Sequence, residues 1–148
     1  MIRNGMHRVF VYGTLKRGAE RNDLMGTAVF AGKAVTAAPF RMLDGPYPVL
    51  CENGPGAYRV IGDVYEVDDA TLAVLDDYEG VSERYYERIE IDVLMSDEKA
   101  APKTCRVFVY IGCADYWNSQ TRQLYATLDA NGHLDWTSPQ SRASGAAR

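Results

Sequence analysis

The feature that most limits this chain's fold is a series of short β-branched and aromatic runs with almost no helix between them. Arg8-Val9-Phe10-Val11-Tyr12, Tyr58 to Val67, Tyr86 to Leu94 and Thr104 to Ile111 each read as a strand, and Ala28 to Met42 holds one or two more. Pro39 argues against a central strand around it. Only Ala70 to Glu79 has a full helical signature, with Asp68 or Asp69 able to cap it and Gly80 able to end it. Asp115 to Leu128 is a candidate for one further short helix. Strands that do not alternate with long helices exclude a doubly wound α/β sheet. The expected class is therefore α+β, built on a small sheet that is strongly curved or closed.

The intervening segments are turn-like. Residues 1–7 read as a loose lead-in, Leu15 to Asp23 as a loop with one helical turn, and Leu43 to Pro48 as a turn-rich loop. Ser96 to Lys103 reads as a charged turn, and Asn131-Gly132 is a turn signal. A chain of 148 residues suits one domain, expected over 1–137. Residues 138–148, rich in Ser, Ala, Gly and Arg and without periodicity, are expected to form a disordered tail.

One pentapeptide, Arg-Val-Phe-Val-Tyr, occurs twice, at 8–12 and at 106–110. Five residues do not make a repeat architecture. Either these are two ordinary strands of one sheet, or they lie side by side and bring Tyr12 and Tyr110 to one place.

Composition narrows the partners. A net charge of −4 lacks the basic footprint that phosphate-led nucleic-acid binding requires. Three cysteines without a CxxC pair, beside two histidines, make no zinc framework and read as reduced thiols of a cytoplasmic protein. No apolar run approaches the ~20 residues of a membrane span, and the N-terminus lacks a signal-like apolar stretch. Composition thus argues against nucleic-acid, membrane and zinc partners, and the oligomeric state is not legible. Ten tyrosines stand out against four phenylalanines and two tryptophans. They imply either a core that is wet at its edges or hydroxyls that line a polar pocket.

Three constellations carry candidate chemistry. In Tyr12-Gly13-Thr14-Leu15-Lys16-Arg17-Gly18 a strand runs into a glycine turn, where successive N–H groups can form an anion-binding nest. It is not a Walker A loop, because Ala19-Glu20 replaces the required Lys-Ser/Thr. A plain strand-to-loop turn is the alternative. The second is the helix end Leu72 to Gly80. With Leu72 at zero, Leu75, Val74 and Tyr78 fall at about 300°, 200° and 240° and define a buried sector, and Glu79 falls inside it at about 340°. Asp77 points away at about 140°, and Asp76 lies at the margin near 40°. An inward carboxylate must be paired, hydrogen-bonded or neutral. Burial and the nearby Asp76 would both raise its pKa and suit it to act as a base near neutral pH. A salt bridge from Glu79 to Arg84 or Arg88 is the alternative. The third is Arg84-Tyr85-Tyr86-Glu87-Arg88, whose aromatics follow the helix closely, whether as packed strand residues or near Glu79. Trp117, Trp136 and the remaining tyrosines read as packing.

These pieces together resemble the γ-glutamylcyclotransferase-like family, in particular its γ-glutamylamine cyclotransferase branch. The matching stretches are Val9-Phe10-Val11-Tyr12-Gly13-Thr14-Leu15-Lys16, Gly62-Asp63-Val64-Tyr65, Leu75-Asp76-Asp77-Tyr78-Glu79, Tyr86-Glu87-Arg88 and Val109-Tyr110, in chain order. The segment Ala19 to Tyr58 has no strong match. The resemblance implies a small mixed β-barrel with short helices and a ligand at one mouth. It implies that Tyr12, Gly13, Thr14 and Leu15 hold the glutamyl end of a γ-glutamyl substrate, that Tyr86 and Tyr110 line the pocket, and that Glu79 is the general acid/base. The implied reaction takes a small-molecule γ-glutamyl substrate, needs no metal or cofactor, and releases 5-oxoproline and an amine. Two other readings stand beside it. One is a binding module on the same fold that takes a γ-glutamyl group or another carboxylate without turnover. The other is an interaction protein with a tyrosine surface, which predicts a paired Glu79 and no cavity beside it.

Overall fold

The computed structural model describes residues 5–19, 21–96, 103–117 and 122–137. The expected tail at 138–148 and most of the charged turn at 96–103 lie outside them. The elements in order are β1 (Met6–Val11), a 3-10 turn (Asn22–Met25), β2 (Val29–Thr36), β3 (Arg41–Leu43), β4 (Val49–Cys51), β5 (Ile61–Asp68), α1 (Asp69–Tyr78), β6 (Tyr86–Met95), β7 (Lys103–Gly112) and the single turn α2 (Ala114–Trp117).

Five strands form a closed barrel in the order β1-β5-β2-β6-β7, and β3 with β4 makes a separate two-stranded sheet. Every barrel pairing is antiparallel except the seam, where β1 runs parallel to β7 with Val9 opposite Phe108. The two copies of Arg-Val-Phe-Val-Tyr are therefore neighbours. The Tyr12 hydroxyl donates to the carbonyl of Tyr110 at 2.7 Å, across that seam. Two of the barrel contacts are short: β1 meets β7 at Val9 and Phe108, and β2 meets β6 over residues 34–36 and 93–95.

Both faces of the barrel wall are apolar, which explains the unbroken character of the β1 and β7 runs. Phe10, Tyr12, Val64, Val93, Val107 and Val109 pack in one cluster with Trp136. Val9, Val11, Tyr65, Val67 and Tyr110 pack in a second with Leu72 and Leu75 of α1. Residues of opposite parity thus feed different cores, as the period of two requires.

Three local expectations need correction. Met6 and His7 belong to β1 rather than to a loose lead-in, because they pair with Asp68 and Val67. The segment 122–128 is extended, not helical. Its backbone is claimed by β3, with Tyr125 N–H donating to the Met42 carbonyl and Asp44 N–H to the Gln123 carbonyl, both at 2.8 Å. The buried stripe of α1 is narrower than the wheel suggests: Leu72 and Leu75 are buried, whereas Val74 and Tyr78 are exposed. The helix lies across the barrel wall on one row of side chains only. One strand had no counterpart in the sequence reading: β4 forms directly after the expected 43–48 loop and pairs back on β3.

Candidate active site

The loop after β1 is fixed through its carbonyls. Gly13 O accepts from Lys16 N–H at 3.0 Å, Thr14 O from Arg21 N–H at 2.8 Å, and Leu15 O from the Asn22 side-chain amide at 2.9 Å. The buried Asp63 carboxylate of β5 accepts Arg17 N–H at 2.8 Å and the Lys33 ammonium at 2.9 Å. Lys16 reaches away to the carbonyl of Trp136 at 2.7 Å. Among the described residues, no hydrogen bond uses the N–H groups of Gly13, Thr14 or Leu15. Backbone donors left unmade at a largely buried turn are a ready site for an anion or an oxyanion. Glycine is needed here for proximity, since a Cβ on Gly13 would lie 2.5 Å from Cγ of Pro48.

The end of α1 positions Glu79. Asp68 caps the start by accepting Thr71 N–H at 2.7 Å. At the other end Gly80 N–H donates to the Asp77 carbonyl and Val81 N–H to the Asp76 carbonyl, both at 3.1 Å. This is the paired termination that a left-handed residue provides, and Gly80 has φ +65. A side chain on Gly80 would also run into the Tyr85 ring. The helix therefore stops at Tyr78, with Glu79 as its C-cap residue, whose N–H donates to the Leu75 carbonyl at 2.9 Å.

The Glu79 carboxyl is partly buried, and among the described residues it has no hydrogen bond and no ion pair. Burial raises its pKa from 4.5 to about 7. Two expectations change here. Arg88 does not pair with Glu79; its guanidinium donates to both oxygens of Asp76, at 2.9 and 3.0 Å. Asp76 also accepts the Tyr110 hydroxyl at 2.7 Å. So engaged, Asp76 is not the cause of the Glu79 shift. It ties the last turn of α1 to β6 and β7.

A cavity of about 310 Å³ opens at this mouth of the barrel. Tyr12, Gly13, Thr14, Leu15, Glu79, Tyr86 and Tyr110 all line it, although they come from four different parts of the chain. The hydroxyls of the three inner tyrosines are engaged: Tyr12 with the Tyr110 carbonyl, Tyr86 with the Pro48 carbonyl at 3.2 Å, and Tyr110 with Asp76. Burial pushes all three well above the ordinary phenol range, and the nearby Glu79 adds to the rise. They shape the cavity and stay protonated.

Tyr47, Pro48, Tyr78, Tyr85, Tyr116 and Trp117 line it as well. The sequence offered Tyr85 either as a packed strand residue or near Glu79, placed Tyr78 in the buried sector of the helix, and assigned Trp117 and the remaining tyrosines to packing. The signal that could have found them is the rings flanking Glu79 and following β7. A cavity beside an unpaired Glu79 is also the opposite of what an interaction surface predicted.

A small closed barrel whose mouth brings unengaged backbone N–H groups and a partly buried carboxyl without a partner to one cavity has the form of a small-molecule site. Comparison with known proteins narrows this class. The profile described as "Gamma-glutamyl cyclotransferase, AIG2-like" matches residues 9–135, and the chain belongs to that family. It is 33% identical over 115 residues to gamma-glutamylaminecyclotransferase of Rattus norvegicus, covering 71% of this chain and 77% of the rat protein. With the Homo sapiens protein of the same name it shares 33% identity over 121 residues, 71% of this chain and 78% of the relative. The crystal structure of an AIG2-like protein from Mus musculus superposes with a TM-score of 0.66 at 28% identity, covering 92% of this chain and 99% of the mouse chain.

Proposed function

We propose that the protein is a γ-glutamylamine cyclotransferase in which Glu79 is the general acid/base. The observation that carries this reading is the Glu79 carboxyl itself. It is unpaired among the described residues, it is raised to about 7 by burial, and it shares one cavity with the Gly13 to Leu15 backbone. Membership of the family and the names of the rat and human relatives support the same chemistry.

An α-amino group has a pKa of about 7.7–8.0, so near neutrality most of it is ammonium and not a nucleophile. Ionised Glu79 takes that proton. The freed amine attacks the γ-carbonyl carbon, a C–N bond closes the five-membered ring, and the carbonyl electron pair moves onto oxygen. Donors near Gly13 and Thr14 offset this developing negative charge. Protonated Glu79 gives its proton to the leaving nitrogen, and the carboxylate so formed takes the second proton from the ring nitrogen, which became cationic on attack. The tetrahedral centre then collapses, the carbonyl re-forms, the bond to the leaving amine breaks, and Glu79 passes that second proton to the released amine. No water is consumed and no covalent enzyme intermediate forms. Because the nucleophile is already attached, the cavity mainly has to fold the substrate into reach of its own carbonyl.

The direct test is to incubate the purified protein with a panel of γ-glutamylamines and measure 5-oxoproline and free amine. Stoichiometric release of both is expected. Binding without release would favour the non-catalytic module. A second expectation concerns the loop: Gly13→Ala forces its methyl against Pro48. It should lower kcat/KM on the order of tenfold through a misplaced loop. Its thermal midpoint should fall only modestly, which a melting curve beside the kinetics will check.

A further inference from the structure

We infer that Tyr47, Tyr85, Tyr116 and Trp117 form the subsite for the leaving amine, and that it selects amines bearing an aromatic or extended apolar group over small or carboxylate-bearing ones. The inference rests on the cyclotransferase reading and adds the class of substrate to it.

The rings make one continuous wall. It starts beside the inner Tyr86, whose ring lies 5.6 Å from that of Trp117. From Trp117 it extends to Tyr47 at 6.1 Å and to Tyr116 at 4.8 Å, and from Tyr116 to Tyr85 at 4.7 Å. Trp117 is buried, whereas Tyr47, Tyr85 and Tyr116 stand 40%, 42% and 37% exposed at the mouth of the same cavity. Grouped exposed rings of this size on one rim mark a binding surface rather than ordinary scatter.

The wall is also held in place. The Trp117 indole N–H donates to the Tyr85 carbonyl at 2.6 Å. The Arg122 guanidinium lies over the Tyr47 ring at 4.7 Å and the Trp117 ring at 4.8 Å, and it donates to the carbonyls of Asp44 and Tyr47. Rings fixed before binding cost little ordering when a ligand arrives.

Charge decides what the wall accepts. Among the described residues lining the cavity, Glu79 is the only charged one. A carboxylate on the leaving amine would share a partly dry space with ionised Glu79 and meet no lining cation. Arg122 is already committed to two rings and two carbonyls. A flat or extended apolar group instead gains ring stacking and burial.

The test compares γ-glutamylphenethylamide, γ-glutamylmethylamide and γ-glutamylglycine as substrates. The phenethylamide should exceed the methylamide by about tenfold in kcat/KM, mostly through KM, and γ-glutamylglycine should be the poorest. Tyr116→Ala should shrink the ratio between the two amides, and Tyr116→Phe should preserve it. An equal or better rate with the methylamide or γ-glutamylglycine overturns the inference and leaves the cyclotransferase reading standing. A ratio unmoved by Tyr116→Ala overturns the assignment of the wall. If none of the three yields 5-oxoproline, the cyclotransferase reading itself falls.

Discussion

Glu79→Gln is expected to reduce 5-oxoproline release by about 10²–10⁴-fold, the range in which a positioned acid/base acts. The amide fills the same space and cannot carry the proton, so ligand binding should survive. In the wild type, kcat/KM should rise with pH through about 7, as the Glu79 carboxyl ionises. Stability should move the other way. The folded-state pKa lies above the ordinary carboxyl value, so the folded protein binds the extra proton. This contribution is complete below pH 4.5 and is lost as pH rises through about 7. At pH 8 the ionised group costs the fold roughly 2–3 kcal/mol. Glu79→Gln should therefore be more stable than the wild type at pH 8 and nearly equal to it at pH 5, as read by denaturant unfolding at both values. An inactive variant without this stability crossover would mean that the carboxyl is not held in a dry place. A variant with the crossover and full activity would remove Glu79 from the mechanism.

Much of the fold is written in local pattern. The strand periods of Tyr58 to Val67 and Tyr86 to Leu94, the Asp68 cap and the Gly80 stop depend on near neighbours, and β5, α1 and β6 lie within a few residues of those limits. Barrel closure was visible only as a hint, the repeated pentapeptide, because adjacency of β1 and β7 joins residues about a hundred positions apart. The inward direction of Glu79 follows from the helical angle. The partner of Arg88 does not, since choosing between Asp76 and Glu79 requires knowing where β6 crosses α1. The wheel likewise overstated the buried face, placing Val74 and Tyr78 in it, because it assumes a helix packed over a broad sector. The aromatic wall was least legible. Tyr47 reaches it from the β3–β4 connection and Trp117 from α2, and neither segment carries a motif that names the other.

The largest stability loss is expected from Asp63→Ala, a residue that does not line the cavity. Its carboxylate is buried within the barrel wall and has two partners of different worth. Lys33 is 62% exposed and can return its charge to water when the pair is lost. The Arg17 N–H lies directly after the Gly13 to Lys16 turn, and without Asp63 this donor loses its acceptor at 2.8 Å. Leaving such a group unsatisfied costs about 1–3 kcal/mol. The consequence for function follows from how the loop is held. Its N–H groups can meet a substrate only while its carbonyls and Arg17 stay tethered, and a donor displaced by a fraction of a bond length no longer meets the developing charge. Asp63→Ala should thus lower stability in urea and raise KM for γ-glutamylamines. Asp63→Asn, whose side-chain oxygen can still accept from Arg17, should recover most of the KM while losing the Lys33 ion pair. If Asn and Ala raise KM equally, the ion pair rather than the loop tether is what the site depends on.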